Sequence, residues 1–427
     1  MTACFALTAV CLLSHASDWP QWRGPDRNGI SPETGLLKRW PKSGPPLRWV
    51  FTEAGVGYSG PGIVGDRLFM LGGRGNAEYL FALDTNTGKE LWSTRIGPLF
   101  TFKGNLWGDG PRATPAVADG LVYALGGGGE LICATAHDGK VRWRVNLLRD
   151  LKGEITSAAD PPEKIGWGFT ASPLVEGNKV VCVPGGKVGT LAALNKKTGQ
   201  VLWRTEQLTA PANYSSPIVA TVHDKRQFIQ VLDDGVVGVA ASDGRVLWRH
   251  KTRSRRKLVI PTPVLHGDHV FITSAGEGCE LIKLEREREG IRPVSVYAKK
   301  NMENGHGGVV LVSNHLYGFS LRGGLVCQEF WTGKIAWSVP EQSGAGFSVI
   351  AADGRLYCFS ELDGTVSLVE ANPREHHENG RFVVPKKSKL RQSRSGVWTH
   401  PVIANGSLYL RDQELLFCFD IRNVGSR

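Results

Sequence analysis

Few stretches of this 427-residue sequence combine residue types that do chemistry. "ALDTNTGKELW", residues 82–92, sets a glycine and a lysine behind two threonines and invites a nucleotide or redox reading. Two glycine-rich runs, "GGRGNAE" (72–78) and "GGGGE" (126–130), have the composition of a phosphate cradle. A cradle needs a helix opening behind it to aim backbone N–H groups at the anion, and neither run opens one, so both read as turns between strands. Glu375, His376, His377 and Glu378 are metal-ligand types in a polar connector, and a coordination shell there needs a further ligand from elsewhere; the run reads as a solvated loop. "LDDG" (232–235) reads as a hairpin turn. Neither a G-x-S-x-G nucleophile elbow nor an H-E-x-x-H metal helix occurs in the sequence.

The elements that would position these residues are strands. Helix-period stripes are scarce, while short runs of Val, Leu, Ile, Tyr and Phe are punctuated by Gly, Asn and Asp, the vocabulary of short strands joined by tight turns. The opening "MTACFALTAVCLLSHAS" carries an apolar run ending in small residues, which reads as a secretory signal over residues 1–17 despite the missing basic flank. Six cysteines follow it: Cys133, Cys182, Cys279, Cys327, Cys358 and Cys418. Each lies in or beside a strand-like run far from the others, so they read as small buried hydrophobes rather than a disulfide framework. The formal charge of +11 is concentrated in "KTRSRRK" (251–257) and "PKKSKLRQSR" (385–394), with alternating signs in "LEREREG" (284–290). Such runs permit a peripheral contact with an anionic surface, but in loops they are ordinarily solvated. No nucleic-acid partner and no membrane-spanning segment are expected.

The frame at 82–92 recurs as "CATAHDGKVRW" (133–143), "ALNKKTGQVLW" (193–203), "GVAASDGRVLW" (238–248) and "CQEFWTGKIAW" (327–337). A small residue comes first, glycine seventh and tryptophan last. Each frame follows the same prelude of apolar run, turn, apolar run and glycine-rich turn. Aligned, they give eight units beginning near Tyr58, Ala113, Thr170, Ser215, Thr262, Val309, Phe347 and Trp398, at the spacing of four-stranded propeller blades. The carboxylate or amide of Asp84 or Asn195 accepts from the turn's own amides, and Gly88 or Gly199 supplies a positive φ. Trp92, Trp143, Trp203, Trp248 and Trp337 are expected to dock neighbouring blades, which makes the motif structural. Cys133, Cys327 and Cys418 fill the same slot as Ala82, Ala193 and Gly238 and are chosen for size. The eighth unit stops after its third strand at "LFCFDIR", while "PPLRWVF" (45–51) is an unassigned strand carrying Trp49; pairing the two closes the ring and removes two open edges.

The predicted fold class is therefore all-β, a single eight-bladed propeller over 45–427 closed by an N-terminal strand, with residues 18–44 as an N-terminal arm. These frames resemble the repeat of pyrroloquinoline quinone dehydrogenases and their non-enzymatic relatives, including the propeller subunit of the outer-membrane β-barrel assembly machinery. "DWPQWRGPDRNGIS" (18–31) is similar to an N-terminal signature of exported proteins of this group. For the dehydrogenases the resemblance implies an adjacent Cys-Cys pair, a calcium held by carboxylate and amide side chains, and a catalytic Asp. This sequence has no Cys-Cys pair and no D-x-D calcium loop. No cofactor is expected, with pyrroloquinoline quinone and calcium only under the alternative reading.

Innermost strands line a propeller's axis, and the connectors leading into them surround one mouth. The residue three before each strand's proline, or its equivalent, gives Tyr58, Arg112, Thr170, Tyr214, Ile260, His306 and Trp398, with Trp167 and Phe169 nearby. Aromatic and cationic groups around a funnel suit a flat or anionic ligand or a partner's loop; they equally suit packing of the seams between blades. The longest connectors, 97–112 and 147–169, wall the same face. The expectation is an exported, monomeric, non-catalytic scaffold of the periplasm or cell envelope that binds a protein or polymer, as the resemblance implies. The alternative is a quinone-dependent oxidoreductase or a carbohydrate-binding propeller using the same mouth.

Overall fold

In a computed structural model, residues 17–156, 166–252, 259–288, 290–340 and 346–423 are described; all but the last residue of the expected signal and most of the basic run at 251–257 lie outside them. Every regular element among them is a strand. The strands form eight sheets, and the four-stranded order is antiparallel throughout. Blade 1 runs from Gly62–Val64 on the inside to Glu90–Pro98 on the outside, and blades 2 to 6 begin at Ala116, Leu174, Ile218, Val264 and Val309. Blade 7 begins at Phe347–Ala352 and blade 8 at Val402–Ala404. The eighth blade takes its outermost strand from the other end of the chain: Leu47–Phe51 pairs antiparallel with Leu415–Asp420, placing Trp49 opposite Cys418 and Val50 opposite Phe417.

The repeat's chemistry explains the seams. In each frame the small first residue pairs directly with the closing tryptophan: Ala82 with Trp92, Cys133 with Trp143, Ala193 with Trp203, Gly238 with Trp248, and Cys327 with Trp337. Cys418, whose own copy lacks a tryptophan, receives Trp49 from the N-terminal strand. The indole then lies on the next blade. A Cβ on the seventh-position glycine would sit 2.6 Å from Trp49 at Gly88, 2.5 Å from Trp92 at Gly139 and 2.8 Å from Trp143 at Gly199. Trp49 Nε1 donates to the Thr85 carbonyl (2.9 Å) and Trp143 Nε1 to that of Lys196 (3.0 Å), the fourth position of the next frame in both cases. Tyr297 plays the same part between blades 5 and 6, its hydroxyl donating to the Phe330 carbonyl (2.9 Å). Cys133, Cys327 and Cys418, like Cys182, Cys279 and Cys358, are buried.

The sequence does not announce what the arm does. Residues 18–31 run through the ring along its inner strands. Trp19 bridges Ile63 of blade 1, and the Pro20 carbonyl accepts from Val117 of blade 2. Arg27 donates to the Ser172 and Pro173 carbonyls ahead of blade 3 (3.1 Å each), and Trp22 Nε1 to Thr262 Oγ1 ahead of blade 5 (2.8 Å). Arg23 reaches the Val309 carbonyl of blade 6 (2.6 Å). Ile30–Ser31 then joins Phe347–Ala352 as a parallel fifth strand, so blade 7 departs from the expected four. Burial without a carboxylate partner pulls the guanidinium of Arg23 down to about 10 and that of Arg27 to about 9.

Candidate functional site

The mouth residues are set by the connectors that enter the innermost strands, and most form one arc. His306 and Trp398 have ring centroids 5.3 Å apart, Trp398 and Tyr58 5.0 Å. The Arg112 guanidinium lies 5.1 Å from the Tyr58 ring centroid and is fixed by donating to the carbonyls of Gly110 (3.0 Å) and Gly108 (2.7 Å). Tyr58 Oη donates to the Trp107 carbonyl (2.7 Å), Trp107 meets Trp167 edge-on at 6.0 Å, and Trp167 lies 5.3 Å from Tyr214. Thr170 Oγ1 donates to the Tyr214 carbonyl (3.2 Å). Ile260, half-buried, belongs to no ring contact of this arc.

Burial divides the arc into two kinds of residue. Tyr58, Phe169 and Tyr214 are buried and wedge the connectors together. Phe169, for example, fits where Gly129 has no side chain: a Cβ there would lie 2.7 Å from its ring. Trp107, Arg112, Trp167, Thr170, His306 and Trp398 are half-exposed and present the surface a partner would meet. Trp107, with exposed Leu106 beside it, is the residue that counting back from the prolines missed; its signal was its place in a connector too long to be a plain turn.

The basic run at 385–394 also belongs to this face and is not simply solvated. Arg391 donates to both Asp412 carboxylate oxygens (2.8 and 2.7 Å) and to the Leu362 carbonyl. Arg394 N donates to the Leu106 carbonyl (2.9 Å), and its guanidinium lies 5.5 Å from the Trp107 ring centroid. The two loops are thereby joined into one wall. Two carboxyls under the mouth are held well above the usual carboxylate range by burial. Burial pushes Glu361 up to about 8, with His306 Nε2 at 3.2 Å, while His306 itself is held down to about 4. Glu78 rises to about 7, although the amides of Phe100 and Gly127 donate to it. The glycine-rich run at 126–130 thus does receive a carboxyl, the chain's own Glu78 from the neighbouring blade.

The remaining candidates have local partners. His377 pairs with Glu370 (3.3 Å) and the His376 ring packs against Trp337 at 5.4 Å. Among the described residues no three His, Cys, Asp or Glu side chains gather as a metal cluster. The cavity lined by Trp22, Arg23 and His400 is about 10 Å³, room for one water rather than for the tricyclic ring of a pyrroloquinoline quinone.

The family model for the outer membrane protein assembly factor BamB matches residues 76–339, more than half of the chain. The chain belongs to this family. Among BamB proteins it is 24% identical to that of Shewanella oneidensis over 273 residues, covering 59% of this chain and 65% of that protein. Against the BamB of Salmonella typhimurium it is 24% identical over 347 residues, 76% of each. The chain thus spans slightly under two thirds of the first of these relatives. The solved BamB of Moraxella catarrhalis superposes with a TM-score of 0.59 at 13% identity, covering 86% of this chain and 96% of that one. The quinohemoprotein alcohol dehydrogenase of Comamonas testosteroni superposes at 0.62 and 13% identity, covering 96% and 81%. At such identities these structures establish the shared propeller fold. No helix among the described residues is long and apolar enough to cross a membrane.

Proposed function

We propose that this chain is an exported, non-catalytic scaffold of the periplasm or cell envelope that works as a monomer and holds a protein partner of outer-membrane assembly at its mouth. The observation that carries this reading is the wall made by connectors 97–112 and 385–396. It presents exposed Leu106 and half-exposed Trp107 and Arg112, with half-exposed Trp167 and Trp398 beside it, and the aromatic and arginine groups among them are residue types that anchor protein interfaces. Family membership supports an assembly role, since the relatives are outer membrane protein assembly factors. A plugged axis supports surface docking over threading or cofactor capture. The oxidoreductase reading has the dehydrogenase-like fold in its favour, while the cavity lined by Trp22, Arg23 and His400 has no room for the quinone.

The test is affinity capture from native envelopes, comparing the wild type with Arg112→Ala, Trp398→Ala and Leu106→Ala/Trp107→Ala. Outer-membrane assembly proteins are expected with the wild type and at least tenfold depleted with the double variant, a loss of about 1.4 kcal/mol or more. Equal recovery from all four removes the mouth as the binding surface. Dye reduction on adding quinone and calcium would replace this reading with the oxidoreductase one.

A further inference from the structure

A small cavity beside the arm is built from both parts of the chain. Trp19, Trp22 and Arg23 of the arm line it together with Gly60, Thr114 and His400, which precede the innermost strands of blades 1, 2 and 8. Arg23, Thr114 and His400 are 4%, 2% and 5% exposed, and each has an atom without a hydrogen-bond partner among the described residues: Arg23 Nη1, Thr114 Oγ1 and His400 Nδ1. Leaving such atoms unpaired in the interior is costly, so a partner is expected for each.

Their donor and acceptor characters are fixed by neighbouring bonds. Arg23 Nη2 is already engaged by the carbonyls of Asn28 (2.9 Å) and Val309 (2.6 Å), so Nη1 is a donor in search of an acceptor. His400 Nε2 lies 2.7 Å from the His306 carbonyl, which only accepts. The ring proton is therefore on Nε2, and Nδ1 is a bare acceptor. The groups lie close together: a Cβ at Gly308 would lie 2.1 Å from Arg23 Nη1 and 2.9 Å from His400 Cε1, and a Cβ at Gly60, in the cavity wall, 3.1 Å from Thr114 Oγ1.

We infer that this cavity binds a single ordered water, which accepts from Arg23 Nη1, donates to His400 Nδ1 and takes Thr114 Oγ1 as its third partner. The volume of about 10 Å³ is near the least that one water needs, and three polar partners is the usual number for a buried one. A halide would satisfy the guanidinium but would face the Nδ1 lone pair, so water's two donors and its lone pairs are the match. The water wires the arm to the ring at the point where Trp22 packs on His400 at 4.6 Å.

A high-resolution crystal structure grown in bromide tests this. One full-occupancy peak without anomalous signal is expected within about 2.7–3.2 Å of all three atoms. A bromide anomalous peak, or no peak, overturns the inference. In Thr114→Val, which keeps the shape, the peak should weaken, and in Thr114→Ser it should persist; an unchanged peak in Thr114→Val removes Thr114 as a partner and overturns the three-way site. In solution, nitrogen-15 shifts of the His400 ring, assigned by their loss in His400→Gln, should report the Nε2–H tautomer with a hydrogen-bonded Nδ1. An Nδ1–H tautomer overturns the inference without any crystal.

Discussion

The seventh-position glycine of the frame answers to two demands, and they can be separated. Gly139 has φ +71° and would place a Cβ 2.5 Å from Trp92, whereas Gly120 has φ +72° and nothing within 4 Å. Gly120→Ala should cost about 1–2 kcal/mol for the left-handed backbone alone. Gly139→Ala adds displacement of an indole, typically another 1–3 kcal/mol, so its denaturation midpoint should fall clearly further; equal losses would mean that the seam does not need the glycine's missing side chain. Glu361 gives a second prediction. Its carboxyl is raised by burial to about 8, so between an unfolded value near 4.5 and that folded value the native state binds more protons than the unfolded one, and stability falls as pH rises. Glu361→Gln removes that slope. From pH 5 to 8 the wild type should lose at least about 1 kcal/mol relative to the variant, and parallel pH profiles in urea would show that the burial does not matter. His306 and His400 act in the opposite sense: lowered from 6.5 to about 4 and about 3, they take up protons on unfolding below about pH 6.5, a contribution that the wild type and the variant share.

Elements show where the sequence was legible and where it was not. Blades could be counted because the frame writes the same small residue, glycine and tryptophan each time, and each has a local cause. Closure could be read because Cys418 lacked its tryptophan and Trp49 lacked its blade. The arm's course could not. Trp22, Arg23 and Arg27 occur once each, and their partners, the Thr262 hydroxyl ahead of blade 5, the Val309 carbonyl of blade 6 and the Ser172 and Pro173 carbonyls ahead of blade 3, follow no repeat that the sequence would show. The mouth was half legible for the same reason: counting back from the prolines finds connector positions, but burial decides whether Tyr214 packs or Trp398 is presented. Closure itself can be tested. Trp49 is 9% exposed and donates to Thr85, so Trp49→Ala should cost about 3–5 kcal/mol and Trp49→Phe, which keeps the wedge but loses the hydrogen bond, markedly less. A Trp49→Ala loss no larger than that of an exposed substitution such as Leu91→Ala would mean that the ring does not depend on its clasp.

At the scale of the whole molecule, the arm makes the first strand of the ring and the last depend on one another. Leu47–Phe51 closes blade 8 from outside, while residues 18–31 tie the inner strands from within. The C-terminal end returns to the same arm, with Leu37 N donating to Ile421 and Asn423 N to Gly35. A segment held this way opens only when several blades part, so its backbone should be protected by nearly the global free energy rather than by a local one. Trypsin makes the difference visible, because the arm carries cleavable bonds in both environments. Arg23 and Arg27 are 4% and 2% exposed, whereas Lys38 and Arg39 are exposed. Native digestion should cut after Lys38 or Arg39 first and leave the Arg23–Gly24 and Arg27–Asn28 bonds intact until the ring unfolds. The released N-terminal piece should still co-elute with the ring on gel filtration, since its hydrogen bonds to blades 1, 2, 3, 5 and 6 do not pass through the cut. Cleavage at Arg23 or Arg27 at the rate seen at Arg39 would show that the arm leaves the axis freely, and the channel would then be open to ligands from which the plug now bars it.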